Sequence, residues 1–291
     1  MDKLVTLTFQ KAGMLTTVQD AGRPTHQAFG VPVGGVMDKA AAHTANELVG
    51  NATNSPVLEI TLLGPTIQFD QTVQIAITGA DLSPTINRTP IAQYQTITVK
   101  ANDTLSFGRI VSGCRAYLAI RGIWQIPKWL NSYSAVHPNK EILPDSIIRK
   151  GSLLTIRTSS FEQEITLSLP TPRSSVDTIP IQILPGPEFV QFTNFQIAHF
   201  FSQTYTIAND SNRMGYRLKG NPIPLVTSTS MISSGIIPST IQINNAGLPI
   251  VLMRDAQTVG GYPRIANVVE EDMNRLAQLK PQEQIRFIFN A

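Results

Sequence analysis

The sequence predicts a mainly β protein, and three observations lead to this class. Only 15% of the 291 residues are charged, whereas 42% are hydrophobic, which is enough to build a buried core. Apolar and polar residues alternate in short runs, most clearly in IQFDQTVQIAIT at 67–78. Twenty prolines and nineteen glycines separate these runs with turns. Short strands with frequent turns are typical of barrels and sandwiches.

The predicted strands are spread over the whole chain. Each is a short run of apolar and β-branched residues bounded by turn residues, the composition that favours a pleated, half-buried surface. They are Leu4–Phe9, Val57–Leu62, Val73–Thr78, Thr96–Val99, Ala116–Ile120, Leu153–Ile156, Ile181–Leu184, Ile241–Ile243, Pro249–Met253 and Gln284–Phe289.

Three segments show helical signals instead. Asp38 can cap the helix KAAAHTANELV, which ends before Gly50. The segment PEFVQFTNFQIAHFF is predicted to start its helix near Pro187, because proline is favoured in a first turn. The segment VVEEDMNRLAQL carries three acidic residues in its early turns and ends before Pro281.

The best candidate for a domain boundary is SLPTPRSSVDTIP, at 168–180. This segment is rich in Pro, Ser and Thr and has no apolar periodicity. We therefore predict an N-terminal β-barrel-like domain at 1–170 and a C-terminal β-barrel-like domain at 171–291.

Composition argues against several classes of function. The net charge is +3 but the basic residues are scattered, so nucleic-acid binding is not favoured. The single cysteine excludes an internal disulfide, and the four histidines show no metal-ligand spacing, so no metal is expected. The N-terminus resembles a strand, and apolar runs stay below about 18 residues, so we expect a cytoplasmic protein without a membrane span.

No familiar cofactor motif is found in the sequence. It contains neither a GxxxxGK[ST] phosphate loop nor a GxGxxG turn after a strand. A Met-Lys-Met stretch for biotin attachment is also missing. If ATP takes part in the reaction, we expect another chain to hold it.

Two glycine-bearing segments combine polar side chains with freedom of the backbone, which lets a ligand approach closely. In GMLTTVQDAGRPTHQAFGVPVGGVMD, at 13–38, the candidates are Thr17, Gln19, Asp20 and Arg23. The alternative there is a surface loop in which the aspartate and arginine form a local ion pair. In MRDAQTVGGYPRIANVVEEDM, at 253–273, the candidates are Asp255, Gln257, Thr258, Gly260, Gly261, Tyr262 and Arg264. The alternative there is a tight turn that leads into a helix.

Two further segments carry candidate residues. In NDSNRMGYRLKG, at 209–220, Arg213 and Arg217 offer planar forks for a carboxylate or phosphate, with Asn212 and Tyr216 beside them. The alternative is a turn whose arginines face solvent or bridge the two halves of the chain. In MISSGIIPSTIQI, Ser233 lies near a glycine, but the pattern differs from the GxSxG elbow and does not favour a serine hydrolase.

Several ordered blocks together resemble one family along nearly the whole chain. They are TTVQDAGR, FGVPVGGVMD, ANELVGN, LEITLLGP, ITGADL, YLAIRG, SNRMGYRLKG, GLPIVLMRDAQTVGGYPRIANV and AQLKP. The family is that of allophanate hydrolase subunit 2, KipA and the C subunit of 5-oxoprolinase, which is biotin-dependent carboxyltransferase-like. The resemblance implies two cyclophilin-like β-barrel domains with a few short helices.

The resemblance also implies an activity and partners. The expected function is that of one component in an ATP-dependent complex that opens the lactam of 5-oxo-L-proline to L-glutamate. Its expected partners are a KipI-type protein, which is the B-type 5-oxoprolinase subunit, the A-type 5-oxoprolinase subunit, and a small-molecule amide. One alternative is a carboxyltransferase component that moves CO2 to urea or a related amide from carboxybiotin on a separate carrier. Another is a regulatory subunit that binds a KipI-type kinase inhibitor.

Chemical roles follow from the lactam hypothesis. Phosphorylation of the amide oxygen by ATP would create negative charge, which Arg213, Arg217 or Arg23 could stabilise. Asp20 or Asp255 could position water or accept a proton. The catalytic candidates are therefore two aspartates and two arginines, Asp20, Asp255, Arg213 and Arg217, and the other named residues are candidates for substrate binding.

The sequence departs from the family pattern at two of these segments. Ser234 stands where the family usually has glutamate, and Ala256 stands where it often has arginine. These departures predict a shifted substrate or a binding and regulatory role.

Overall fold

The computed structural model describes residues 2–136, 139, 141–159, 178–224 and 231–290. The chain forms two compact units. The first comprises Met1–Gly22 and Gly34–Arg173, and the second comprises Arg23–Val33 and Ser174–Ala291. The predicted boundary between 170 and 171 lies outside the described residues. The segment 23–33 belongs to the second unit, although it lies within the range predicted for the first domain.

Twelve strands and one α-helix are described in the first unit. The strands are β1 (Asp2–Lys11), β2 (Leu15–Gln19), β3 (Val57–Thr61), β4 (Thr66–Phe69), β5 (Val73–Asp81), β6 (Thr85–Ile86), β7 (Thr89–Pro90), β8 (Thr96–Val99), β9 (Thr104–Ser106), β10 (Ser112–Ile120), β11 (Ile123–Trp124) and β12 (Leu153–Ser159). The α-helix is α1 (Lys39–Leu48), and a short 3-10 helix covers Pro144–Ser146.

These strands form two sheets around one core. One sheet has the order β11-β12-β1-β4-β9-β6-β7, and the other has the order β2-β3-β10-β5-β8. Alternate residues such as Leu7, Leu58 and Leu118 are fully buried in a core that includes both sheets. The period of two therefore sends one face of each strand into this core.

Helix α1 covers the opposite face of the five-stranded sheet. The Asp38 carboxylate accepts a hydrogen bond from the Ala41 N–H at 2.9 Å, so the predicted cap is confirmed. The small side chains of Ala41 and Ala45 pack with Tyr117 and Ala119 of β10. These alanines allow the helix to approach the sheet closely.

The second unit is a closed barrel with two α-helices and a short ribbon among its described residues. Its strands are β13 (Thr178–Pro185), β14 (Tyr205–Ile207), β15 (Gly215–Lys219), β16 (Ser234–Gly235), β17 (Thr240–Ile243), β18 (Pro249–Leu252), β19 (Val259–Gly260), β20 (Arg264–Val268) and β21 (Gln284–Phe289). The helices are α2 (Asn194–Phe201) and α3 (Glu270–Ala277), with 3-10 helices at Gln27–Phe29 and Phe189–Gln191. The barrel has the order β13-β20-β17-β18-β15-β14-β21, and β16 pairs with β19.

All ten predicted strands are found, and the mainly β class is confirmed. The predicted start of the second helix near Pro187 is wrong, because α2 begins at Asn194. Thr193 and Gln196 form a reciprocal capping box, which satisfies the first N–H groups and fixes the helix start there. Among the described residues, none of the helices is long and apolar enough to span a membrane.

Candidate functional site

A cavity of about 350 Å³ lies on one face of three neighbouring barrel strands, β15, β17 and β18. It is lined by Asn212, Met214, Gly215, Arg217, Gln242, Asn244, Ile250, Leu252, Gln257 and Tyr262. Arg217 pairs with Ile250, and Gln242 also pairs with Ile250, so these residues lie side by side across the sheet. The alternate residues Tyr216 and Val251 are buried on the other face.

The cavity brings together four of the residues predicted to form the site. Asn212 and Arg217 come from one segment, whereas Gln257 and Tyr262 come from another that is 40 residues or more away in the sequence. The Arg217 side chain is 51% exposed, and its Nε lies 3.4 Å from Oδ2 of Asp210. Its Nη1 also donates to the Asp210 carbonyl at 3.3 Å. Exposed contacts of this kind add little stability, so a ligand can compete with them for the guanidinium.

Two polar residues of the cavity were missed by sequence reasoning. Gln242 lies in the strand TIQI, where a polar residue is indistinguishable from an ordinary solvent-facing one. Asn244 lies in a turn, and its side-chain oxygen accepts hydrogen bonds from the N–H groups of Ala246 and Leu248. A turn role is the usual explanation for such an asparagine, so the sequence gives no separate signal for the cavity.

Arg213 and Asp255 form a buried ion pair in the second unit. Arg213 Nε donates to Asp255 Oδ2 at 2.8 Å, and Nη2 donates to Oδ1 at 2.9 Å. Both side chains are at most 5% exposed. The Asp255 N–H also donates to the Arg213 carbonyl at 2.9 Å. This arrangement fastens the 209–220 segment to the 253–264 segment, beside the residues that line the cavity.

The ribbon of β16 and β19 carries most of the remaining candidates. Ser234 pairs with Gly260, and the Thr258 carbonyl accepts a hydrogen bond from the Ile236 N–H. A Cβ on Gly261 would lie 3.4 Å from Ser233 Oγ, so the glycine and the serine are neighbours. Ser234 Oγ is buried and makes no hydrogen bond within the described residues.

The family departure at Ala256 has a local explanation. Ala256 is 4% exposed and packs with Ile236 and Leu252 in a small apolar cluster. A long charged side chain would not fit this cluster without a rearrangement.

Tyr216, another predicted site residue, lies inside the second unit and not in the cavity. Its hydroxyl donates to the Leu279 carbonyl at 3.4 Å.

Arg264 is held by a second Arg–carboxylate pair. Its Nε donates to Glu188 Oε2 at 2.7 Å, and its Nη1 donates to the Gly235 carbonyl at 2.7 Å. Arg264 therefore connects the ribbon to the segment before α2. The hydrogen bond from Arg264 lowers the pKa of the Glu188 carboxyl, against the opposing effect of burial.

This pair should make the stability of the second unit pH-dependent. Because the pKa of the Glu188 carboxyl is lower in the folded chain than its ordinary value of 4.5, the ionised carboxylate stabilises the fold at pH values above 4.5. This contribution is lost as the pH falls through the folded-state pKa. We expect Glu188→Gln to be destabilised at pH 7, with the difference from wild type shrinking below pH 4.5. Urea unfolding at a series of pH values measures this difference. Removing the partner with Arg264→Met should produce the same pH dependence, and a constant difference at all pH values would contradict the prediction.

The first unit contains the other predicted residues, apart from Arg23. Asp20 follows β2 and accepts four hydrogen bonds, from the Gly22 and Tyr133 N–H groups and from the Ser132 and Ser134 hydroxyls. The two hydroxyl contacts are both 2.6 Å long. Both oxygens of this carboxylate are therefore engaged by donors, an arrangement that fixes the loop after β2.

Thr17 and Gln19 lie on the same face of β2 and are both buried. Gln19 Nε2 donates to Thr17 Oγ1 at 3.0 Å, while Gln19 Oε1 makes no hydrogen bond within the described residues. Arg23 is buried in the second unit, and its N–H donates to the Val33 carbonyl at 2.7 Å.

A buried polar group on β3 and β10 was also missed. Glu59 Oε2 accepts hydrogen bonds from the Met37 N–H and the Tyr117 hydroxyl. Burial, together with the nearby Glu59, raises the pKa of Tyr117 well above its usual range. Its hydroxyl therefore remains protonated and acts as a donor. The apolar run around Glu59 in LEITLLGP gives no hint of this partner.

Comparison with known proteins yields one consistent family. The family model described as Carboxyltransferase domain, subdomain A and B matches residues 29–289. The C subunit of 5-oxoprolinase from Escherichia coli (strain K12) is 35% identical over 279 residues, which cover 96% of this chain and 89% of that protein.

Two solved structures share the fold across nearly the whole chain. The crystal structure of TTHA0988 has a TM-score of 0.88 and 26% identity, covering 99% of this chain. The chain spans 57% of the TTHA0988 chain. The K. lactis urea amidolyase has a TM-score of 0.88 and 30% identity, covering 98% of this chain and 19% of that one. With its sequence matched at 29–289 and its fold shared with these proteins, the chain belongs to the carboxyltransferase domain family, subdomains A and B.

Proposed function

We propose that this chain is the C-type subunit of an ATP-dependent, 5-oxoprolinase-like complex and that it binds 5-oxo-L-proline in the cavity beside β15. The proposed activity is suggested by the similarity to the Escherichia coli protein named as the C subunit of 5-oxoprolinase. The observation that carries it is the chemistry of the cavity, in which carboxamides and one guanidinium lie beside an apolar floor formed by Met214, Ile250 and Leu252.

Each part of the proposed substrate has a counterpart in this cavity. A lactam has one N–H donor and one carbonyl acceptor, and the carboxamides of Asn212, Gln242 and Gln257 offer both kinds of group. The substrate carboxylate suits the guanidinium of Arg217, which binds carboxylates through two parallel hydrogen bonds. The ring methylenes suit the side chain of Ile250 on the floor. A cavity of about 350 Å³ lies in the range typical of small-molecule sites.

The same cavity does not suit ATP. Arg217 is its single cationic side chain among the described residues, whereas a triphosphate requires several donors or a phosphate loop. We therefore assign ATP to another chain of the complex. The proposed task of this chain is to bind the amide and orient it.

We assign positioning roles to the two aspartates. Both oxygens of Asp255 accept hydrogen bonds from Arg213, and Asp20 accepts from four donors. A carboxylate used in this way holds neighbouring backbone in place and is poorly suited to remove a proton. Arg213 and Asp255 would fix the two segments that supply Asn212 and Gln257.

The proposal includes partners and a compartment. A relative that is named as the C subunit of an enzyme implies other chains, and we propose a KipI-like B-type protein and an A-type protein. We further propose a cytoplasmic complex.

Co-expression of these chains, followed by an assay of ATP-dependent glutamate release from 5-oxo-L-proline, tests the proposal. A pure complex that contains all three proteins and releases no glutamate would reject it.

Arg217 should matter for substrate affinity in that assay. We expect Arg217→Met to raise KM for 5-oxo-L-proline about 10- to 100-fold, because a charge-assisted hydrogen bond to the carboxylate is lost. The matched control is Arg286→Met, which removes an exposed arginine from β21 of the same barrel. An unchanged KM in Arg217→Met would contradict the assignment of the carboxylate to this residue.

Carboxyl transfer is the second candidate, and the similarity to the K. lactis urea amidolyase favours it. In that case the carboxamides would bind urea, and biotin would be supplied on a separate carrier. An assay of CO2 transfer from carboxybiotin to urea distinguishes this activity. A complex that lacks both activities yet binds the KipI-type protein tightly would support the regulatory alternative.

A further inference from the structure

Gln242 is the one fully buried polar side chain among the described residues that line the cavity. It lies on β17, is 1% exposed, and pairs across the sheet with Ile250 of the floor. A polar residue at such a position loses its contacts with water, so its hydrogen bonds decide whether it is tolerated. Its geometry therefore indicates what it is placed to bind.

The orientation of the Gln242 carboxamide is fixed by the protein. Its Nε2 donates to the Tyr262 carbonyl oxygen at 3.2 Å. A carbonyl oxygen only accepts, so the nitrogen of the carboxamide must face Tyr262 and the oxygen must face elsewhere. Within the described part of the chain, Oε1 makes no hydrogen bond. It is therefore presented as an acceptor of known direction.

Gly260 allows this arrangement. A Cβ at this position would lie 2.8 Å from Gln242 Nε2 and 2.9 Å from the Ile236 side chain. Any larger residue would therefore displace the carboxamide from its place between the ribbon and β17. The glycine is required here because it leaves space for a neighbouring side chain.

We propose that Gln242 Oε1 accepts a hydrogen bond from the amide N–H of the substrate, so that the cavity selects amides whose nitrogen carries a hydrogen. This inference rests on the proposed binding of the amide in this cavity. A ligand with a methyl group on its nitrogen offers no donor and places a carbon against Oε1. Sites that hydrogen-bond one group of a ligand discriminate strongly against analogues without it, because a buried acceptor is then left unpaired.

Binding of two simple lactams to the full chain tests this inference without the partner proteins. We expect ligand-observed NMR to detect 2-pyrrolidinone with an affinity about 10- to 100-fold higher than that of N-methyl-2-pyrrolidinone. Gln242→Met keeps the length of the side chain but removes the acceptor, and we expect it to bind both lactams equally weakly. Gly260→Ala should also reduce the discrimination, since it displaces the carboxamide. Thermal melting shows which variants are folded.

The outcomes separate this inference from the proposed function. Equal binding of the two lactams to the wild-type chain would overturn the role of Gln242, as would discrimination that persists in folded Gln242→Met. Binding of neither lactam to the wild-type chain would overturn it too. Selective lactam binding together with a reconstituted complex that releases no glutamate would reject the 5-oxoprolinase proposal and leave the amide recognition supported.

Discussion

Replacing Asp255 with asparagine is expected to lower the free energy of unfolding by about 3–5 kcal/mol, the usual cost of breaking a buried ion pair. The substitution leaves the charge of Arg213 buried without a carboxylate partner, because it removes the bidentate pair of hydrogen bonds to Asp255. Chemical denaturation of wild type and variant measures the loss. Asp210→Asn is the matched control, because the Asp210–Arg217 pair is exposed and should contribute less than about 1 kcal/mol.

The same variant tests the role that we assign to Asp255. If it positions the cavity segments, the Asn variant should lose stability, and its KM should rise while its pH profile keeps its shape. If Asp255 instead accepts a proton in the reaction, the variant should lose kcat and the shape of its pH profile should change, whatever its loss of stability. A stable, fully active Asp255→Asn protein would reject both roles.

Replacing Asp20 with asparagine is expected to destabilise the first unit by about 3–5 kcal/mol, because several hydrogen bonds to a buried carboxylate are lost together. Oδ1 accepts from the Gly22 N–H and Oδ2 accepts from the Tyr133 N–H. Whichever oxygen becomes an NH2 group, it therefore meets a backbone N–H that cannot rotate away. The serine hydroxyls can turn and accept, but these two backbone groups cannot.

Asp70→Asn is the control for this second prediction. The Asp70 carboxylate accepts one hydrogen bond, from the Thr6 N–H at 2.7 Å, and this bond is exposed. We expect its loss to cost less than about 1 kcal/mol, because water replaces the partner. Denaturation curves of the two variants should therefore separate clearly. Similar midpoints for both would show that the Asp20 network contributes little to the fold.

The strands and the first helix were predictable because their signals are local. The alternation of apolar and polar residues that marks a strand is visible within a few residues, as at 67–78. The helix cap is equally local, because Asp38 accepts its hydrogen bond from Ala41, three positions along the chain. The predicted start of α2 was wrong for an equally local reason. Pro187 favoured a helix start near that residue, whereas the capping box of Thr193 and Gln196 sets the observed start at Asn194.

The sequence by itself determined the fold class, the family, and four residues that line the cavity, Asn212, Arg217, Gln257 and Tyr262. Only the tertiary structure decided how they are used. The Arg213–Asp255 pair joins residues 42 positions apart, and Gln242 depends on Tyr262 and Gly260, which belong to a different segment. Hydrogen-bond partners of buried side chains are set by which strands pair and in which register, and such long-range pairing has no trace in local composition.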